Sequence, residues 1–161
     1  VVSITIPRVI ADLLREKAGK LGVPIEELLL EFVTRGLDPS DVARKYIDVA
    51  AEMLGQAEDE LRKGDLRQAG EKVWGAVALA VKAHAMYREG IRLESHVQLW
   101  QYKSKMAEEL GDWVRGAWYA ANAMHMNFYE GGADRKDVEE ALEHARRLVK
   151  AVADRIYAER R

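Results

Sequence analysis

Four histidines, His84, His96, His125 and His144, are the side chains in this sequence best suited to moving protons near neutral pH. His96 follows Ser95, and Ser95 with Gln98 has the spacing of a capping box. That spacing predicts a helix opening here, where free amides and the helix dipole favour an anion. Arg88 and Arg92 lie just upstream and could share it. A second constellation is Arg115, Trp118, Asn122, His125 and Tyr129. Steps of three and four place these residues on one face of a helix. Such a stripe could line a nucleotide pocket: rings stack on a base, the amide reads a base edge and the guanidinium meets phosphate. The competing reading is packing, with Asn122 and His125 as buried polar ties and the rings as core. His96, Arg92 and His125 are the candidates for catalysis.

Other chemistries fail on composition or spacing. The chain has no cysteine, which excludes a thiol nucleophile, a thiolate zinc site and a disulfide scaffold. Neither Glu-x-x-His nor His-x-x-x-His occurs, and no glycine-rich loop follows an interior strand. No metal and no cofactor is therefore expected. His84, in an alanine-rich face, reads as a satisfied core or interface histidine. Trp74, Trp100, Trp113 and Trp118 read as core and dimer anchors, and His144 with Glu140 as a surface pair. Apolar residues make up 48% and charged residues 32%, enough for both a core and a solvated surface. The net charge of −2 excludes a strongly basic coat over the whole chain. No apolar run approaches the ~20 residues that cross a bilayer. No basic-plus-apolar leader is seen, so the expectation is a cytoplasmic protein without membrane contact. Few Asn and Gln beside abundant Glu, Lys and Arg resemble the composition of thermophile proteins.

The elements that must position these residues are mostly helical. All three prolines lie at or before Pro39, and the rest of the chain is rich in Ala, Leu, Glu, Lys and Arg. Residues 1–6 alternate apolar and polar and predict a short strand, with Val2, Ile4 and Ile6 on one face and Ser3 and Thr5 on the other. Helices are expected over 8–21 and 24–36. Asp38-Pro39 opens a third to about Lys63, Asp65 caps a fourth, and Ser95 opens a fifth to about Leu110. Asp112 opens a sixth to about Tyr129, and a seventh runs from about Asp134 to Ala158. Gly22, Gly36, Gly64, Gly90, Gly111 and Gly131-Gly132 punctuate them.

These residues carry two resemblances. Strand, helix, Gly-Val-Pro-Ile-Glu-Glu turn and helix over 2–37 resemble a ribbon-helix-helix module. That resemblance implies antiparallel strand pairing between two chains, with Ser3 and Thr5 facing DNA bases. Outward Arg, Lys, Asn or Gln are missing, and residues 1–38 hold five basic against six acidic side chains, which favours dimerisation over DNA reading. Residues 60–85 and 92–132, above all His125-Met126-Asn127-Phe128-Tyr129-Glu130, resemble the archaeal PaREP paralogue family. That family is similar in turn to HEPN helical bundles, which occur in toxin–antitoxin systems, nucleotide-binding domains and ribonucleases. HEPN ribonucleases carry Arg and His separated by four to six residues. Here the intervals are three (Arg92–His96), seven (Arg88–His96), nine (Arg115–His125) and eight (Arg135–His144), so none matches.

The expectation is thus an all-α, HEPN-like antiparallel helical bundle over 39–161 with a strand-helix-helix dimerisation arm over 1–38. Three functions are open: a non-catalytic homodimeric module binding a nucleotide or nucleic acid, in a defence or toxin–antitoxin setting with a partner protein; an RNA-cleaving, metal-independent enzyme with an altered Arg/His motif; and a DNA-binding autoregulator using the arm. An unpaired strand exposes main-chain groups on both edges, and a second copy is the simplest partner.

Overall fold

The computed structural model describes residues 2–158, and all regular structure among them is helical. Seven helices occur in order: α1 Arg8–Leu21, α2 Ile25–Val33, α3 Pro39–Lys63, α4 Leu66–Glu89, α5 His96–Leu110, α6 Trp113–Glu130 and α7 Arg135–Ala158. They fall into two compact units, Val1–Leu37 and Asp38–Arg161.

The all-α class stands, but the expected N-terminal strand is not present among the described residues. Val1 lies outside the described residues, and 2–6 carry no ladder. Alternation is necessary for a half-buried strand, yet a strand is made by pairing, and the described chain offers these residues no second strand. Val2 is 89% exposed, and Ser3 and Thr5 are exposed beside it. These two residues therefore sit on no strand face, and the DNA-reading geometry built on one is lost. The second helix also stops at Val33 rather than 36, with Thr34 capping it and turns after it.

In the first unit, α1 ends at Gly22, whose φ of 67° lets Val23 N–H reach back to Ala18 O at 3.1 Å. Lys17 and Arg35 both lie over the Phe32 ring, at 5.0 and 5.1 Å. The apolar side chains of α1 are mostly open: only Ala18 is buried, while Val9, Ile10, Leu13 and Leu21 are exposed.

The second unit is organised round α4. Sixteen of its residues are buried, including the unbroken run Val73–Met86, so it is apolar on every side. It packs against α3, α5, α6 and α7. Small residues allow that crowding: a Cβ on Gly70 would lie 3.3 Å from Met124 Cβ. Caps set the ends. Asp38 accepts from Ser40 N–H with Pro39 at the first position, and Asp65 accepts from Gln68 N–H at 3.0 Å. Ser95 and Gln98 form a complete capping box at the start of α5. Asp112 makes no side-chain cap; α6 begins instead beside Trp113, whose indole N–H donates to Leu110 O at 2.7 Å. Asp134 and Asp137 accept from each other's amides at 2.9 Å and open α7. No helix of the described residues is long and apolar enough to cross a membrane.

Candidate functional site

Helices α4 and α6 run antiparallel, because Gly70 meets Met124, Glu71 meets His125 and Trp74 meets Trp118. On α4, Glu71 and Trp74 are three residues apart and face α6. On α5, the capping box fixes His96 in the first turn, and Trp100 and Lys103 follow at steps of four and three. These three helices bring seven rings into one cluster.

Trp118 is its floor, fully buried and edge-on to Trp74 at 5.2 Å and to Trp100 at 5.9 Å. Both imidazoles lie on Trp74: His125 stacks at 4.9 Å and 27°, and His96 is tilted at 5.4 Å. His96 also contacts Trp118 and Trp100, at 5.8 and 6.1 Å. Burial, and then the neighbouring His125, hold His96 below the ordinary histidine range. His125 Nδ1 is 3.1 Å from a Glu71 carboxylate oxygen, which orients the ring, and Tyr129 meets it edge-on at 5.5 Å. The His96 imidazole makes no hydrogen bond among the described residues, and the Trp118 indole N–H has no acceptor.

The outer rings are open to solvent. Trp100 is 39% exposed and Tyr119 48%, and the two touch at 5.8 Å. The buried Lys103 ammonium lies 4.9 Å from the Trp100 centroid and 5.6 Å from that of Tyr119, and it donates to Trp100 O at 3.0 Å. Burial and the nearby Arg115 charge lower the Lys103 pKa. Arg115 donates to Ser104 Oγ at 3.2 Å. The surface therefore offers flat, partly open π-faces with two cations at one end.

Of the stripe expected on α6, Trp118 and His125 enter this cluster and Arg115 borders it. Tyr129 is 66% exposed at its far end, and Asn122 is half-buried on the same helix. The arginines upstream of His96 go elsewhere. Arg92 donates to Tyr46 Oη at 2.8 Å, and Arg88 holds Glu109 through two nitrogens. Glu71, Trp74, Lys103 and Tyr119 belong to the site, although the sequence by itself gives them no functional role. Their signal is only pairwise spacing, Glu71 with Trp74 and Trp100 with Lys103, and that spacing gains meaning once α4, α5 and α6 are known to meet.

His84 lies apart and is fully tied down. Its Nε2 is 2.7 Å from Glu109, so the Nε2–H donates there, and Nδ1 accepts from Tyr102 Oη at 2.9 Å. Burial lowers its pKa in spite of Glu109. Burial pushes Glu109 upward, but hydrogen bonds from Arg88 and His84 outweigh it and hold the carboxyl below its usual range. Among the described residues no group of three His, Asp or Glu side chains is placed to hold a metal ion.

Comparison with known proteins adds a family. The model of the archaeal PaREP1/PaREP8 family matches residues 45–149. A solved protein from Sulfolobus solfataricus is similar at 25% identity and a TM-score of 0.59, covering 65% of this chain and 93% of that one. No curated protein matches the chain.

Proposed function

We propose, for a chain that belongs to the archaeal PaREP1/PaREP8 family, that it is a non-catalytic binding module for a nucleotide or single-stranded nucleic acid. One observation carries this reading: Trp100 and Tyr119 present open rings beside the buried Trp74 and Trp118, with the Lys103 ammonium against both. Bases stack on such rings regardless of sequence, and adjacent cations attract the backbone. The exposed His96 imidazole, without a hydrogen-bond partner among the described residues, adds polar capacity at the same place. The helical bundle of α3 to α7 supports the HEPN-like reading of this unit. We take the active form to be a homodimer, because the first unit exposes Val9, Ile10 and Leu13 on one helix. Fluorescence anisotropy with a labelled single-stranded RNA, repeated over a salt series, tests the binding. Saturable, salt-sensitive binding is expected; a flat titration overturns the reading. Light scattering that returns a monomer at micromolar concentration overturns the dimer.

A second reading uses the same imidazoles. Two histidines on one tryptophan, close enough for the charge of one to affect the other, suit acid–base cleavage of RNA. One ring would accept the 2′-hydroxyl proton as that oxygen attacks phosphorus; the other would protonate the departing 5′-oxygen. His96→Ala and His125→Ala would then each abolish cleavage with the fold intact. Intact RNA after incubation with the wild type overturns it.

A further inference from the structure

At the end of α6 remote from Arg115, an open cleft of about 590 Å³ is lined by the α3–α4 turn, Arg67, Asn127 and the Gly131-Gly132 loop. Three donors meet there without acceptors. Asn127 is only 6% exposed, and its Oδ1 accepts the Ala133 amide at 2.8 Å, which fixes the orientation of the side-chain amide. Its Nδ2 is thereby left as a buried donor with no partner. Native proteins rarely leave such a group unsatisfied without a use for it. The Arg67 guanidinium lies over Gly131, where an added Cβ would sit 2.9 Å from one Nη. Among the described residues no carboxylate pairs with Arg67. Most acids nearby are engaged: Asp65 caps α4 through Gln68 N–H, Glu71 takes His125, and Asp137 takes the Asp134 amide. Glu130, just before the loop, is exposed and does not line this cleft. Third, the Gly132 N–H makes no hydrogen bond among the described residues. Both glycines have positive φ, 78° and 106°, so the loop has no side chain to block an approaching group.

We propose that Arg67, Asn127 and the Gly131-Gly132 loop form a binding site for a phosphoryl oxyanion. The guanidinium fork matches two phosphoryl oxygens and supplies the charge, while the neutral amide and backbone donors match a third. A carboxylate offers two oxygens and leaves one donor unmet. The same chemistry serves free phosphate and the phosphate of a nucleotide. Arg67 is one helical turn from Glu71 on α4, the partner of His125, so a nucleotide seated by the aromatic cluster would have this cleft within one turn of it. The site does not depend on that cluster binding a base.

Isothermal titration of the full chain at fixed ionic strength tests it, in three arms: inorganic phosphate, a nucleoside 5′-monophosphate and the corresponding nucleoside. Saturable binding of phosphate identifies the free anion as a ligand; binding of the monophosphate alone identifies the nucleotide as its source. In either case Arg67→Ala and Asn127→Asp should weaken binding at least tenfold. Asn127→Asp keeps the acceptor for Ala133 but removes the donor. Arg67 is exposed, so its variant stays folded and decides the matter even where Asn127→Asp does not fold. No binding in either phosphate arm, unchanged affinity in Arg67→Ala, or a nucleoside bound as well as its monophosphate overturns the proposal. Binding of the nucleoside to both variants as to wild type is a property of the aromatic cluster alone, so failure here and failure there read differently.

Discussion

Helix α4 contributes to two histidine-containing clusters that differ in two respects. Round His84, every polar group has a partner: Tyr102 hydroxyl, both imidazole nitrogens, Glu109 and Arg88 form one continuous chain. Round Trp74, ten residues earlier and so about 15 Å along the axis, the imidazole of His96 and the indole N–H of Trp118 have none among the described residues. The first cluster is shut from solvent at His84 and Tyr102; the second opens at Trp100 and Tyr119. A closed network spends its hydrogen bonds on the fold. An open one keeps donors and π-faces for something else. On this contrast we assign stability to one cluster and the proposed binding to the other.

The largest expected effect would break the His84 cluster. Glu109→Ala leaves His84 and Arg88 without their shared acceptor and should cost about 3 kcal/mol. For a chain of this size that lowers the melting temperature by roughly 10 °C. RNA affinity should not move, and a matching loss of affinity would merge the two clusters into one. Next comes Trp100→Ala. Loss of one stacking face is worth about 1–3 kcal/mol, so affinity for single-stranded RNA should fall on the order of tenfold or more. Thermal melting of this half-exposed position should barely change. A smaller effect is expected from Tyr102→Phe, which removes one buried donor to His84 and should cost about 1 kcal/mol in urea unfolding.

How much of this is legible in the sequence depends on how far apart the partners lie. Asp38-Pro39, Ser95 with Gln98 and the glycines at helix ends are local signals, and α3, α4 and α5 start where those signals place them. The run Val73–Met86, dense in Ala and Val, announces a helix that tolerates close neighbours. Residues 2–6 alternate as a strand would, but pairing is a property of two segments, and the described chain supplies one. The site is legible only along α6. Spacing marks Trp118 as part of a candidate ligand face, yet it is the buried floor, whereas Tyr119, the next residue and about 100° round the helix, is the open ring. The rest depends on long-range contacts that no local pattern encodes: Glu71 with His125 is separated by 54 residues, and Arg92 with Tyr46 by 46.

The smallest effect is in pH. Burial depresses the His84 pKa in the folded chain below its unfolded value of about 6.5. The neutral ring is the native form, so its contribution is complete above about pH 6.5 and is lost as pH falls toward the depressed folded value. The lowered pKa of Glu109 extends the loss further into acid, below its ordinary range. Unfolding free energy measured between pH 7.5 and 5.5 should therefore decrease with falling pH, and His84→Gln should flatten that slope. An unchanged slope in the variant would deny His84 that part. His96, also lowered by burial, contributes with the same sign.

The division of labour between the two clusters rests on whether the open rings hold a ligand. The affinity of wild type and Trp100→Ala for one single-stranded RNA, at one salt concentration and with melting curves recorded in parallel, tests it most directly. Tighter binding by the wild type, on the order of tenfold, with superimposable melting curves is the expected result. Equal affinity, or no binding by either protein, would contradict it.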